Sequence, residues 1–496
     1  MNTPALRGEP ATGGAPEFRR ALRLYDATML VIGSMIGSGI FIVSADIART
    51  VGSGGWLLAV WVITGLMTVT GALSYGELAG MMPRAGGQYV YLREAYNPLV
   101  GFLYGWTFFL VIQTGTIAAV GVAFAKFTAV LFPGLGDTTV ILHLGFVKIT
   151  AQRLVAIASI LVLTLINMRG IVGGKYIQNI FTTAKTGALF ALIVTGLVAG
   201  VSLGYFEINF RSFWDAVTVY FSDGVLRANP LTGIGLLGAL GVAMVGSLFA
   251  SDAWNNVTFT AGETVNPKRT IPLSLAFGTL SVTILYLLAN LAYLGALPVA
   301  GHPDATDVVG RGIQFAADER VGTAAMTVIL GPAAATVMAV LIMVSTFGCN
   351  NGLILSGARV YYAMANDGLF FRSVGKLNRR SVPGIALLVQ AAWACVLCLS
   401  GTYGDLLDYV IFAVLVFYIL TVIGIFILRR KRPDAERPYR AFGYPVLPAL
   451  YVIAAAAIAL DLLILKPAYT WPGVAIVLLG IPAYMFWKQF GPASTE

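Results

Sequence analysis

Residues 24–48 are apolar for long enough to cross a bilayer, and in their middle stands Gly33-Ser34-Met35-Ile36-Gly37-Ser38-Gly39-Ile40-Phe41. Glycines flanking a serine at that depth invite a helix to unwind. Unwinding bares N–H and C=O groups where no water is guaranteed, which is tolerable only where they line a cavity or meet a ligand. The outer half-helix then aims its positive dipole end into the break, and a carboxylate fits there. The same small residues also suit close helix–helix packing, so this stretch by itself leaves both readings open.

The rest of the chain has the same character. Only 11% of the 496 residues are charged and 58% are hydrophobic, where soluble domains carry roughly 25% charge. Apolar runs of helix length begin near Leu24, Gly55, Leu99, Gln152, Tyr176, Gly233, Pro272, Thr323, Pro383, Asp405, Val446 and Trp471. At roughly 20 apolar residues per crossing, they predict about twelve transmembrane helices and an all-α membrane protein. The runs are continuous, which excludes the alternating strands of a membrane barrel.

The net charge of +9 resolves into topology. Twenty-two lysines and arginines fall on connections that share one side, among them Arg84, Arg93, Lys175, Arg359 and the run Arg429, Arg430, Lys431, Arg432; eight fall on the other. The positive-inside rule places both termini in the cytoplasm. The basic excess is therefore not a nucleic-acid surface, and no nucleic-acid partner is expected. Cys349, Cys395 and Cys398 lie within predicted helices and read as small buried residues. They form no disulfide framework or metal-ligand spacing, and no cofactor is implied.

Residues 204–229 read as an outer loop without chemistry. Residues 83–97 read as a short amphipathic helix or hairpin on the cytoplasmic surface. The eighth span is expected to run on to Asn366, where Asp367-Gly368 ends it. About five spans after the first interruption comes a second, Gly246-Ser247-Leu248-Phe249-Ala250-Ser251-Asp252-Ala253-Trp254-Asn255-Asn256. Ser, Asp and Asn there can bond their own backbone and loosen the ladder. Two broken helices at matching places in two five-helix halves point to an inverted-repeat transporter.

At this point the chain resembles a family. Gly37-Ser38-Gly39-Ile40-Phe41 is similar to the first-helix signature of amino acid–polyamine–organocation transporters, and the L-type amino acid transporter branch, in a bacterial member, is the closer likeness. Further motifs carry it: Gly71-Ala72-Leu73-Ser74-Tyr75-Gly76-Glu77-Leu78 with Met82-Pro83-Arg84-Ala85-Gly86-Gly87-Gln88-Tyr89, Gln178-Asn179-Ile180-Phe181-Thr182-Thr183-Ala184-Lys185, Glu263-Thr264-Val265-Asn266-Pro267-Lys268-Arg269, Ser345-Thr346-Phe347-Gly348, and Arg437-Pro438-Tyr439. The resemblance implies a leucine-transporter-like fold. Helices 1–5 (residues 24–203) and 6–10 (233–432) would be inverted repeats, with helices 1 and 6 broken. Residues 1–23 and 491–496 would be cytoplasmic tails, 204–232 an outer loop, and 433–490 two peripheral helices. It also implies amino acid transport by alternating access, often as exchange. Animal members that carry a heavy subunit bond to it through a cysteine in the loop after helix 3. Residues 132–151 hold none, so no disulfide-linked heavy subunit is expected.

By this resemblance the N–H groups of Gly37, Ser38 and Gly39 meet the substrate carboxylate, and the carbonyls of Met35, Phe249 and Asp252 meet its amino group. Ile36, Ser251, Trp254, Asn255 and Phe412 shape the gate and pocket, Phe249 being the outer gate. Lys185 lies well inside an apolar helix, where a cation costs roughly 2.5–3.5 kcal/mol, so it should face the bundle interior. In relatives with this lysine its ammonium stands where sodium binds in sodium-coupled cousins, which predicts sodium independence. Asp252 is a second costly charge, either a cavity carboxylate or a helix-breaking cap. Glu77 reads as a buried structural carboxylate, and Glu263 with Lys268 and Arg269 as an inner charge network. The expectation is a sodium-independent exchanger of neutral L-amino acids in the inner (plasma) membrane. A proton-coupled or cationic amino acid (or polyamine) carrier is the alternative, and a non-transporting sensor is the reading of a different class. His143 and His302 have no catalytic constellation around them, so no enzyme is expected.

Overall fold

The computed structural model describes residues 18–144, 147–222, 225–400 and 403–490. Helix 1 runs over Leu24–Met35, breaks, and resumes as Gly39–Ile42 and Ser44–Val51. Helix 2 is Gly54–Met81. Helix 3 spans Pro98–Leu131, with a π-helical turn at Phe108–Ile112. Helices 4 and 5 are Ala151–Met168 and Ile171–Leu203. Helix 6 is Gly233–Ala250, followed after a second break by Asn256–Phe259. Helices 7 to 12 are Pro267–Ala296, Ala333–Asn366, Gly384–Ser400, Tyr403–Lys431, Val446–Leu465 and Pro467–Phe490. Among the described residues, all of these but helix 9 are long and apolar enough to cross a membrane, and helix 9 is a shorter apolar helix.

Burial orders the bundle. The apolar window of helix 1 is 83% buried and that of helix 12 only 17%. The broken helix is therefore the axis and the last helix the rim. Helices end where their sequences dictate. Helix 3 begins at Pro98, whose missing N–H costs nothing at a first turn, and Asn97 caps it by accepting the Val100 N–H at 3.0 Å.

Three expectations about the connections need correction. The eighth span does not start near Thr323. Gly331, at φ 78°, and Pro332 divide that stretch into a separate helix, Val321–Leu330, and helix 8. The stretch 204–229 has structure of its own, a helix Tyr205–Arg211 and a hairpin pairing Val217–Ser222 with Val225–Pro230. Asn209 ties it down: its amide donates to the Leu294 and Leu297 carbonyls at 2.7 and 2.8 Å and accepts the Val299 N–H at 2.8 Å. Finally, residues 83–97 do not lie flat on the surface, although Arg84 and Asn97 are exposed. Their helix, Gln88–Ala95, inserts into the bundle with Tyr89, Tyr91 and Leu92 fully buried. Gly87 permits this: its φ is 42°, and a β-carbon there would come within 2.3 Å of the Thr258 hydroxyl.

Candidate functional site

The first break begins where Ile36 turns out of the helix (φ −73°, ψ 94°) after its N–H makes the last helical bond to Ile32. Unwinding orphans the carbonyls that follow, and fixed side chains take up each of them. The Lys185 ammonium, 1% exposed, reaches across from helix 5 and donates to the Gly33 and Ile36 carbonyls, both at 2.5 Å, and to Ser345 of helix 8 at 3.3 Å. An ammonium has three donors and no acceptor, so three carbonyls satisfy it fully. The Ser345 hydroxyl points at the Ile36 and Gly37 carbonyls at 3.2 and 3.1 Å. The Cys349 thiol donates to Ser34 at 3.0 Å. The Tyr286 hydroxyl of helix 7 donates to Met35 at 3.0 Å. Ser38 is buried and stands at the N-terminus of the outer segment Gly39–Ile42.

The second break is made differently. The Ser251 N–H bonds back to Ser247 at 3.0 Å and that of Asp252 to Phe249 at 3.1 Å, which tightens the last turn. Ala253 then adopts φ 65°, a left-handed conformation that costs an L-residue roughly 1–2 kcal/mol. Asn256 restarts the chain by donating to Ala253 at 3.2 Å. The Asp252 carboxylate accepts the Tyr418 hydroxyl of helix 10 at 2.5 Å. The Asn255 amide donates to Gln88 at 2.8 Å, and Gln88 donates to Thr421 at 3.1 Å. The Trp254 ring packs edge-on to Tyr75 and tilted against Tyr418.

The two breaks meet. A β-carbon on Gly39 would fall 2.6 Å from that of Ala250, so glycine is what lets the segments touch. The hydroxyl that holds Met35 also donates to the Ala250 carbonyl at 3.1 Å, and Tyr286 thereby stitches both broken helices together. Two small cavities flank Asp252. One, about 10 Å³, is walled by helices 3, 8 and 10 and by Gln88; the other, about 20 Å³, by helices 2, 10 and 11. Each has room for about one water-sized group.

Met35, Ile36, Gly37, Ser38 and Gly39 therefore sit on one break, and Phe249, Ser251, Asp252, Trp254 and Asn255 on or beside the other, with Lys185 clasping the first. Phe412 stands apart. Its ring lies against Gly473 of helix 12, and it is Ile411, Val414, Leu415, Phe417 and Tyr418 that helix 10 turns toward the cavities. Tyr286, Tyr418, Gln88 and Gln113 were not singled out as site residues. Nothing local in their apolar surroundings marks them, although Gln88 falls inside one of the motifs.

Residues 22–484 match the family described as Amino acid permease. The chain belongs to the amino acid permease family. Over 474 residues, 95% of this chain and 97% of the relative, it is 29% identical to the serine/threonine exchanger SteT of Bacillus subtilis (strain 168). It is 28% identical to the large neutral amino acids transporter small subunit 2 of Oryctolagus cuniculus, with 96% and 82% covered. It is 26% identical to the b(0,+)-type amino acid transporter 1 of Mus musculus, with 95% and 88% covered. These are membrane transporters and not enzymes, and this permease is a multi-pass membrane protein that carries amino acids.

The arginine-rich end of the permease is closed by ion pairs. Glu263 does not join Lys268 and Arg269; it pairs side-on with Arg359 of helix 8 at 2.9 and 2.8 Å, both groups buried. Lys268 instead meets Glu436. Glu77 is buried and accepts two bonds from Arg429, at 2.9 and 2.7 Å, and one from the Ala441 N–H at 2.7 Å. Asp26 joins Lys175 and Asn179 of helix 5. The chain before helix 1 is strapped across this end, with the Ala21 and Leu22 N–H groups donating to the Glu263 backbone carbonyl and the Val265 N–H donating to the Leu22 carbonyl. Burial pushes the Glu94 carboxyl up, but bonds from Arg432 and Arg93 outweigh it and hold the group below the usual carboxylate range. Among the described residues no cluster of His, Cys, Asp and Glu could hold a metal ion.

Proposed function

We propose that this permease is a sodium-independent exchanger of neutral L-amino acids working by alternating access. The observation that carries the reading is the Lys185 ammonium, 2.5 Å from both the Gly33 and Ile36 carbonyls. A fixed cation there supplies the charge that a coupling sodium ion would otherwise bring to the same backbone oxygens. The substrate carboxylate meets the N–H groups of Gly37, Ser38 and Gly39, at the positive end of the outer half-helix. Its ammonium meets the carbonyls of Met35, Phe249 and Asp252, and Tyr286 must share or surrender Met35 as it does so. The names of the Bacillus and rabbit relatives support exchange and neutral substrates.

Residues 24–203 and 233–432 serve as the two repeats, in keeping with breaks that recur five helices apart. The bias of Lys and Arg favours both termini in the cytoplasm, with the inner (plasma) membrane as the location that goes with this reading. The permease works without a disulfide-linked heavy subunit, since its three cysteines lie on helices 8 and 9. One observation favours a second reading: the buried Asp252 carboxylate beside a cavity suits a proton-coupled carrier or a cationic substrate.

Proteoliposomes test both. Labelled uptake should persist when choline replaces sodium and should accelerate when unlabelled amino acid is preloaded. Strict sodium dependence removes the Lys185 assignment. Uptake that ignores preloading but follows an imposed pH gradient supports the second reading, and binding without any uptake makes the protein a sensor.

A further inference from the structure

At the arginine-rich end of the permease, helix 2 stops where proline dictates. Pro83 disfavours helical geometry in the residue before it. Met82 turns out at φ −128° and ψ 68°, and the Arg84 N–H folds back onto the Met82 carbonyl at 2.8 Å. Gly86 and Gly87, both at positive φ, then send the chain back into the bundle as the helix Gln88–Ala95. Between that helix and the ends of helices 2 and 10 lies a cavity of about 400 Å³, the size of a small-ligand pocket. No described residue of either break lines it. Its wall is apolar at Met81, Met82, Pro83 and Val90, and its charged residues are Arg84, Glu94 and Arg432.

We propose that this cavity seats the phosphate of an anionic phospholipid headgroup. The charges around it are unbalanced. Glu94 is taken on both oxygens, by Arg93 at 3.0 Å and by Arg432 at 2.5 Å. Arg93 also meets Asp367. Arg84 is exposed, and among the described residues its guanidinium has no hydrogen bond or ion pair. Three cations therefore face two carboxylates, and the surplus one is Arg84. A guanidinium presents a planar fork of donors that matches phosphate bidentately. Arg432 gives one nitrogen to Glu94 and keeps its other donors for a ligand. The run Arg429, Arg430, Lys431, Arg432 extends the positive field, and Arg430 in it is exposed. Basic pockets between helix ends on the cytoplasmic side suit anionic headgroups, and the charge bias places this end there. The apolar half of the wall favours a lipid over a free anion. Inorganic phosphate gains nothing from Met82 and Val90, which are 8% and 4% exposed. A headgroup bridging Arg84 and Arg432 ties the end of helix 2 to the end of helix 10. It does so across the helix whose Gln88 holds Asn255 at the second break.

The test is native mass spectrometry of delipidated full-length protein in detergent. It is titrated with dioleoyl-phosphatidylglycerol or dioleoyl-phosphatidylcholine, each with and without excess glycerol 3-phosphate. Phosphatidylglycerol should bind about fivefold tighter or more, the worth of one arginine near anionic lipid. Arg84→Gln should remove about that preference and leave lipid-free thermal unfolding unchanged, because Arg84 bonds to no described side chain. Arg432→Gln should weaken binding by a similar factor. Arg430→Gln, which removes the same charge outside the cavity, should change it least. Equal affinity for the two lipids overturns the proposal. An equal loss in all three variants also overturns it, in favour of diffuse attraction to the basic run. Displacement of the lipid by glycerol 3-phosphate overturns the lipid in favour of a soluble phosphate ester. If Arg432→Gln does not fold without its bond to Glu94, Arg84→Gln and Arg430→Gln still decide. Binding is read without transport, so every outcome leaves the exchange reading where it stands.

Discussion

The two broken helices solve one problem in opposite ways. In helix 1 the freed carbonyls of Gly33, Ser34, Met35, Ile36 and Gly37 are all taken by side chains from helices 5, 7 and 8, and no residue of that break has a positive φ. In helix 6 the chain is turned by a strained Ala253, a carboxylate is buried against a tyrosine, and cavities lie on both flanks. The first break is a finished piece of architecture. The second keeps open space beside a carboxylate. The contrast suggests that helix 1 grips what all amino acids share, and that helix 6 reads what distinguishes them.

The strongest way to break that comparison is to exchange the two buried charges for neutral groups of similar shape. Lys185→Met removes the donor to three carbonyls, and each orphaned buried acceptor costs roughly 1–3 kcal/mol. Counterflow should fall by about a hundredfold or more for every substrate alike. Asp252→Asn keeps the shape and still accepts from Tyr418. It should move apparent affinities only about three- to tenfold, unequally among substrates. If Asp252→Asn silences all substrates equally, the division of labour is wrong.

Tyr286→Phe comes next in size. It removes one hydroxyl that serves Met35 and Ala250 at once and leaves the ring, which packs edge-on to Trp61. A loss of about 1–2 kcal/mol is expected, seen as a roughly tenfold change in turnover with a smaller change in apparent affinity, because the stitch holds the two half-helices to each other. A change confined to affinity would make Tyr286 part of the substrate grip instead.

The two breaks were legible in the amino-acid sequence only together: the glycines and serines of the first suit close helix packing as well, and the serine, aspartate and asparagines of the second, five spans later, tipped the reading toward interruption. Lys185 was legible through the cost of its charge. The membrane class followed from composition. Partners brought together by tertiary packing were not legible. Glu263 was assigned to its chain neighbours Lys268 and Arg269, yet helix 8 delivers Arg359 from 96 residues away. Phe412 lies on a helix with no polar stripe to show which face is inward, and it turned out to face helix 12. Tyr286 is one aromatic residue among the apolar neighbours of helix 7, and only the fold reveals that its hydroxyl lies between two breaks. The hairpin at 217–230 was hidden because short exposed strands leave no burial pattern to read.

The smallest expected effect probes the strain in helix 6. Ala253 holds φ 65° at the turn of the break, where glycine would meet no steric penalty. Ala253→Gly should therefore remove roughly 1 kcal/mol of backbone strain from the folded state, partly offset by the greater freedom of glycine in the unfolded chain. Thermal unfolding of the detergent-purified protein should shift upward slightly or not at all, and counterflow should be preserved or faster, because the break flexes more easily. A clear loss of stability would mean that the Ala253 methyl, which lines the smaller cavity, supplies packing worth more than the strain it causes. The second break would then be as tightly built as the first, and the contrast between them would rest on the charge of Asp252.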